Sequence, residues 1–159
     1  MFSAIKSLLL GPDEEAAPKF DDLQVAVVAL LVRAATTDAN FSDDERHTIR
    51  RITADAFGLA PSDVDALVAT AESEEAGTID LHRWAQAIKR GYDETERLEL
   101  IEKMWEVVYA DGVLDDYEAN LLRRVAGLIY VPDRESGEAR QRVRARLGLL
   151  DRPARSLET

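Results

Sequence analysis

DANFSDDE at residues 38–45 is followed 73 positions later, at residues 111–118, by DGVLDDYE. The flanking residues keep the same spacing, in the pairs Val32 and Trp105, Ala35 and Val108, Ile49 and Leu122, and Phe57 and Tyr130. Such self-similarity at one fixed offset indicates a supersecondary unit that occurs twice. Each copy predicts an apolar helix that ends at an aspartate, a short link with one large apolar residue, and a second helix that opens with acidic residues.

Capping signals predict where the helices of both copies begin. A residue that can cap a helix stands three positions before Glu or Gln in the pairs Asp21 and Gln24, Ser42 and Glu45, Asp93 and Glu96, and Asp115 and Glu118. We expect the helices that follow to run to Thr37, Phe57, Ala110 and Val131. Gly58 stops the second of them, because glycine readily takes the left-handed conformation that ends many helices.

Three further helices complete the predicted fold. One runs from Pro61 to Gly77, one begins at Thr78 or Asp80 and ends at Gly91, and a weaker one runs from Asp133 to Leu149 with Ala139, Val143 and Leu147 on its apolar side. The apolar runs are long and rich in alanine, and they do not alternate with polar residues as half-buried strands do. The sequence therefore predicts an all-α fold, a compact bundle of about seven helices built from two tandem helix-pair repeats.

The predicted helices form one domain at residues 20–148, with repeats at about 20–58 and 93–131. We expect residues 1–19 to be a short helix or a mobile segment, and residues 149–159 to be a disordered tail.

Apolar periodicity predicts which helices and side chains form the core. The helix that begins near Leu23 is apolar nearly all round, which predicts a central position in the bundle. Trp84, Met104 and Trp105 recur at helical spacing with aliphatic residues, so we interpret them as core residues rather than as the lining of a binding groove.

The charge balance limits the classes of partner. Asp and Glu number 31 against 20 Lys and Arg, which gives a formal net charge of −11. That charge repels nucleic acid and favours cations or basic proteins. The chain has no cysteine, so thiolate catalysis, Cys-ligated zinc and disulfides are excluded, and we expect a cytoplasmic protein.

The first ten residues carry a short apolar stripe, formed by Phe2, Ile5, Leu8 and Leu9. Such a stripe could lie on a membrane surface, but Lys6 alone supplies little attraction to anionic lipid. We therefore expect residues 1–10 to dock on the protein's own core or to stay mobile, and not to contact a membrane.

Catalytic signals are weak. His47 and His82 are the only histidines, and we expect both to be ordinary surface residues. Neither a glycine-rich phosphate loop nor zinc-ligand spacing occurs, and no Ser-His-Asp order is plausible. We expect a protein that is not an enzyme.

The segment Ala110-Asp111-Gly112-Val113-Leu114-Asp115 resembles the hallmark of the TerB family of helical domains, which occur in bacterial tellurite resistance and general stress systems and beside DnaJ-type domains. The first copy, Thr37-Asp38-Ala39-Asn40, departs from that hallmark because it lacks the glycine. The resemblance covers about residues 20–148. It implies an all-helical fold and an acidic surface with proposed metal binding, and it implies no known reaction.

Six carboxylates of the two acidic turns are candidate metal ligands, with Asp44 and Asp116 as alternatives: Asp38, Asp43, Glu45, Asp111, Asp115 and Glu118. An aspartate in the last turn of a helix is repelled by the exposed carbonyl groups, so Asp38 and Asp111 each need a compensating partner. Ca²⁺ or Mg²⁺ accepts such all-oxygen sets. EF-hand spacing is absent from both copies, because position 12 is Ile49 in one and Leu122 in the other.

Structural use of the same acids is the favoured alternative. The compensating partner of each aspartate can instead be an arginine of the following helix (Arg50, Arg51, Arg123 or Arg124) or the link backbone, through an Asx turn. Ser42 with Glu45 and Asp115 with Glu118 already have a structural role as capping boxes. If one strong cation site exists, we expect it at Asp111, because Gly112 takes a left-handed conformation more easily than Ala39 does.

The carboxyl-terminal segment has the opposite charge, with arginines at 134, 140, 142, 144, 146, 152 and 155. It could recognise an acidic partner, but we expect it to pair within the chain or across a homodimer. Two functions remain from the sequence. The first is a TerB-like module that binds an unknown protein, tuned by divalent cations, and the second is a metal buffer or sensor.

Overall fold

The computed structural model of the protein describes residues 20–36, 42–77, 81–110 and 116–149. Within those ranges all regular secondary structure is α-helical, which confirms the predicted all-α class. The helices are α1 Asp22–Ala35, α2 Asp43–Phe57, α3 Pro61–Gly77, α4 Leu81–Gly91, α5 Glu94–Val108, α6 Asp116–Leu128 and α7 Asp133–Arg146. Across this described part of the chain, none of the helices is long and apolar enough to cross a membrane.

Three of the four predicted capping boxes are present. The backbone N–H of Gln24 donates to Asp21 Oδ1 at 2.8 Å, and the N–H of Asp21 donates to Gln24 Oε1 at 3.1 Å. Asp93 and Glu96 make the same reciprocal pair, with both bonds at 2.9 Å. The pair at Ser42 is described with the candidate site. The fourth predicted box begins at Asp115, which lies outside the described residues, as do the predicted helix start at Thr78 or Asp80 and residues 1–19.

Helix α1 lies at the centre of the bundle and packs against α2, α3, α4, α5 and α6. Val28, Ala29, Leu31 and Ala34 are fully buried, as expected for a helix that is apolar nearly all round. Helix α5 packs against α1, α2, α6 and α7, so the first helices of the two predicted copies are in contact.

The predicted core aromatic residues are confirmed. Trp84 is 3% exposed, Trp105 is 5% exposed, and Met104 is fully buried.

Helices α1 and α5 end earlier than predicted, at Ala35 and Val108 rather than at Thr37 and Ala110. At both ends the chain leaves the helix through a non-helical residue. After α1, the N–H of Thr36 donates to Val32 O, and after α5, the N–H of Ala110 donates to Val107 O in a tighter turn. Asp38 and Asp111 therefore follow the last helical residue by three positions.

Helix α6 ends at Leu128, not at Val131, because Tyr130 takes a left-handed conformation with φ of 66°. The N–H of Val131 donates to Ala126 O at 2.8 Å, which closes this end as a Schellman motif. In the first copy the left-handed residue is Gly58, with φ of 61°. The two residues paired by the 73-residue offset have different environments, since Phe57 packs against the core and Tyr130 is 70% exposed.

Helix α7 ends at Arg146, before the predicted limit at Leu149. Ala139 and Val143 are fully buried as predicted, but Leu147 is 44% exposed. Leu149 packs against the core in its place. The reason is the turn at Gly148, whose φ of 74° redirects the chain after the helix has ended.

Candidate functional site

The structure describes three of the six predicted metal ligands. Asp43 is exposed at the first residue of α2, whereas Glu45 is 2% exposed and Glu118 is 4% exposed. Asp38, Asp111 and Asp115 lie outside the described residues. The two buried glutamates occupy the third residue of α2 and of α6, so equivalent carboxylates stand beside both acidic turns.

Glu45 has a structural function. The N–H of Ser42 donates to Glu45 Oε1 at 2.9 Å, and the N–H of Glu45 donates to Ser42 Oγ at 3.1 Å. A buried carboxylate is costly unless it is hydrogen-bonded, and this capping box supplies such a bond. One of the two side-chain oxygens of Glu45 is therefore already engaged by the backbone.

Within the described ranges, no three His, Asp or Glu side chains are grouped so that they could hold a metal ion. Asp43 and Glu45 belong to the same helical turn, but only Glu45 is buried. The described part of the first turn thus supplies a capping function, and cation binding at the six carboxylates stays a prediction.

Two of the arginines expected to compensate Asp38 have other partners. Arg50 Nη2 lies 2.8 Å from Asp65 Oδ1 on α3, and Arg51 forms an ion pair with Glu106 on α5. Both ion pairs join α2 to neighbouring helices.

The basic helix α7 pairs with acidic side chains of α5, as the sequence predicted for pairing within the chain. Arg142 Nη2 lies 2.9 Å from Glu102 Oε1, and Arg146 Nη1 lies 2.7 Å from Glu102 Oε2. Burial raises the pKa of Glu102, but the hydrogen bonds from Arg146 and Arg142 outweigh this effect, so the pKa lies below its ordinary value. The positive charge of this face of α7 is therefore largely matched by α5.

A second contact between α5 and α7 was not predicted from the sequence. The indole N–H of Trp105 donates to Ser136 Oγ at 3.2 Å, and the Arg140 guanidinium lies over the Trp105 ring at 5.0 Å. Arg140 Nε also donates to Tyr109 Oη at 2.8 Å. Trp105, Ser136 and Arg140 border a cleft of about 210 Å³ between α5, α6 and α7. The sequence does show two aromatic residues four positions apart, Trp105 and Tyr109, and an arginine-rich helix α7. It does not show the register in which α7 packs on α5.

His47 and His82 are both exposed, in agreement with their prediction as surface residues. Neither lines the cleft beside Trp105.

The described residues form a small all-α domain. The family of tellurite resistance protein TerB matches residues 24–141, which is more than half of the 159 residues. The chain belongs to the TerB family and is a tellurite-resistance-related helical domain. No curated protein and no solved structure matches the chain.

Proposed function

We propose that the chain is a non-enzymatic, cytoplasmic TerB-like module that binds another protein through its acidic surface, within a bacterial stress or tellurite-resistance system. Membership of the TerB family supports the biological setting. The net charge of −11 supports a basic partner, since opposite charge steers association and suppresses wrong partners.

The observation that carries this proposal is the pairing of the basic helix with the protein's own acids. Arg142 and Arg146 are bound to Glu102, so they are not free to attract an acidic partner. Asp43 and Asp44 are the exposed acids at the start of α2, and the arginine in the same helical turn is Arg46. Arg46 pairs with Glu72 of α3 at 3.0 Å. The beginning of α2 is therefore the surface at which we expect a basic segment to bind.

Affinity capture from the native host, with the full chain as bait, tests this assignment. We expect a captured partner to bind the wild type, to be lost when Asp43→Asn and Asp44→Asn are combined, and to be released by salt, because exposed charges are screened within about 10 Å at 0.1 M ionic strength. Glu135→Gln with Glu138→Gln is the matched control, since it removes the same charge from α7. A partner that binds the wild type and both double variants equally would contradict the proposed surface.

The second candidate function is a divalent-cation buffer or sensor. It is favoured by the equivalent placement of Glu45 and Glu118, two buried carboxylates beside turns that carry Asp38, Asp111 and Asp115 in the sequence. Hard cations such as Ca²⁺ and Mg²⁺ bind carboxylate oxygens. A sensor would bind such an ion in the micromolar range and gain stability, whereas an interaction module would bind ions weakly and without selectivity.

A further inference from the structure

The cleft between α5, α6 and α7 is smaller than most ligand pockets. Its volume is about 210 Å³, below the ~300–1,000 Å³ of pockets that hold drug-sized ligands. Trp105 and Ser136 border it from α5 and α7, and both are buried. Such a space suits a molecule as small as an amino acid.

Two arginines line the cleft, Arg123 and Arg140. Neither forms an ion pair with a carboxylate of the described residues, although other arginines do: Arg46, Arg50, Arg51, Arg83, Arg134, Arg142 and Arg146. Two arginines that line one cleft, and that have no carboxylate partner among the described residues, are available to an external carboxylate.

Both guanidiniums are held in place by the protein. The Arg140 guanidinium lies over the Trp105 ring and donates from Nε to Tyr109 Oη, so its two Nη groups are left to bind a ligand. Arg123 is oriented by a 2.8 Å hydrogen bond from Nη1 to Asn120 Oδ1. Ordering that exists before binding reduces the entropy that a ligand must overcome.

Ser136 and Asp133 add polar groups of different character. Ser136 Oγ accepts the indole N–H of Trp105, so its hydroxyl hydrogen can be donated to a ligand. Asp133 also lines the cleft, and an ionised carboxylate only accepts hydrogen bonds. A ligand must therefore present a donor to Asp133, and a second carboxylate there would be repelled.

We infer that this cleft binds a small amino acid or hydroxy acid, with the carboxylate on Arg123 and Arg140 and the ammonium or hydroxyl group on Asp133. The site is separate from the acidic start of α2 and does not depend on the function proposed for that surface.

Nuclear magnetic resonance of the full chain tests the inference through the two indole N–H signals. Trp105 lies in the cleft and Trp84 does not. We expect alanine and lactate to shift the Trp105 indole signal in a saturable way below about 10 mM, and to leave the Trp84 signal in place. Succinate and inorganic phosphate should bind at least about fivefold more weakly, because Asp133 repels a second negative charge.

Two variants make the test specific. Gly137 lines the cleft and a Cβ there would meet no atom within 4 Å, so Gly137→Leu should fill the space without disturbing the backbone. Arg123→Gln should remove one guanidinium from an exposed position. We expect either change to abolish the Trp105 shift, while Arg134→Gln, on an arginine paired with Glu138 outside the cleft, retains it.

Two results would overturn the inference, provided that the unchanged Trp84 signal shows the variants to be folded. One is the absence of any saturable Trp105 shift in the wild type. The other is a shift of equal size and affinity in Gly137→Leu and Arg123→Gln, which would place the binding elsewhere.

Discussion

Thr53 is fully buried in α2, and across the described ranges its Oγ1 is the one buried side-chain oxygen or nitrogen without a hydrogen-bond partner. A buried polar group that lacks a partner costs about 1–3 kcal/mol. At the corresponding position 73 residues later the chain has Ala126, which carries no polar atom. The hydroxyl at Thr53 is therefore not required by the helix pair.

Thr53→Val should raise the free energy of unfolding by about 1 kcal/mol, because it keeps the shape of the side chain and removes the hydroxyl. Chemical denaturation measures the change. Thr70→Val is the matched control, because Thr70 is exposed on α3 and its hydroxyl already donates to Ala66 O at 2.9 Å. A loss of stability in Thr53→Val would mean that the hydroxyl has a partner after all.

Glu102 is predicted to make stability depend on pH. Its pKa is lowered in the folded protein, so its ion pairs stabilise the fold above the ordinary pKa near 4.5, and this contribution is lost as the pH falls through the lowered value. Glu102→Gln should therefore be destabilising at pH 7, by about 1 kcal/mol or less for each pair with an exposed arginine, and the difference from wild type should shrink below about pH 4.5.

Denaturation of both proteins between pH 3 and pH 7 measures this difference. Glu138→Gln, which breaks the exposed pair with Arg134, should show almost no effect at any pH. If the difference in the free energy of unfolding between wild type and Glu102→Gln stayed constant from pH 3 to pH 7, the ion pairs would not be its cause.

At the scale of helices, two glycines should respond in opposite ways to alanine. Gly137 lies inside α7 with open space at its Cβ position, so Gly137→Ala should stabilise the protein by roughly 0.5–1 kcal/mol. Gly58 has φ of 61° at the end of α2, and Gly58→Ala should cost about 1 kcal/mol, because a Cβ disfavours the left-handed conformation. Thermal unfolding of the two variants measures both effects, and equal shifts would contradict the assigned backbone conformations.

The sequence predicted helix starts better than helix ends. Starts depend on local pairs such as Ser42 with Glu45, which the chain encodes within four residues. The end of α6 depends on Tyr130, a residue that seldom takes a left-handed conformation and whose ring lies 4.5 Å from Lys89 Nζ of α4. That contact joins distant parts of the chain, so no local pattern could predict it.

The candidate sites divide in the same way. The capping role of Glu45 was predicted because it is local, and the structure confirms it. The cleft beside Trp105 was missed because it requires α7 to dock on α5 in one register, which places Ser136 at the indole N–H and Arg140 over the indole ring. Sequence periodicity fixed the buried face of α7 at Ala139 and Val143, but it did not show which residues of α5 that face would meet.

At the scale of the whole molecule, charge separates the two candidate functions. The net charge of −11 attracts cations of any kind without selecting among them. Selective binding needs several oxygen ligands held at fixed positions, and the described residues provide Glu45 and Glu118, each beside a different turn. An interaction module therefore requires only the acidic surface, whereas a sensor requires Asp38 or Asp111 to complete a site.

Titration calorimetry of the full chain with Ca²⁺ and Mg²⁺ separates these functions most directly. For an interaction module we expect weak heats that are alike for both ions and disappear as salt is raised, with no shift in thermal unfolding. A micromolar site that stabilises the fold by about 2.7 kcal/mol at 100 times its dissociation constant, and that is lost in Asp111→Asn, would contradict this and show that the protein is a cation sensor.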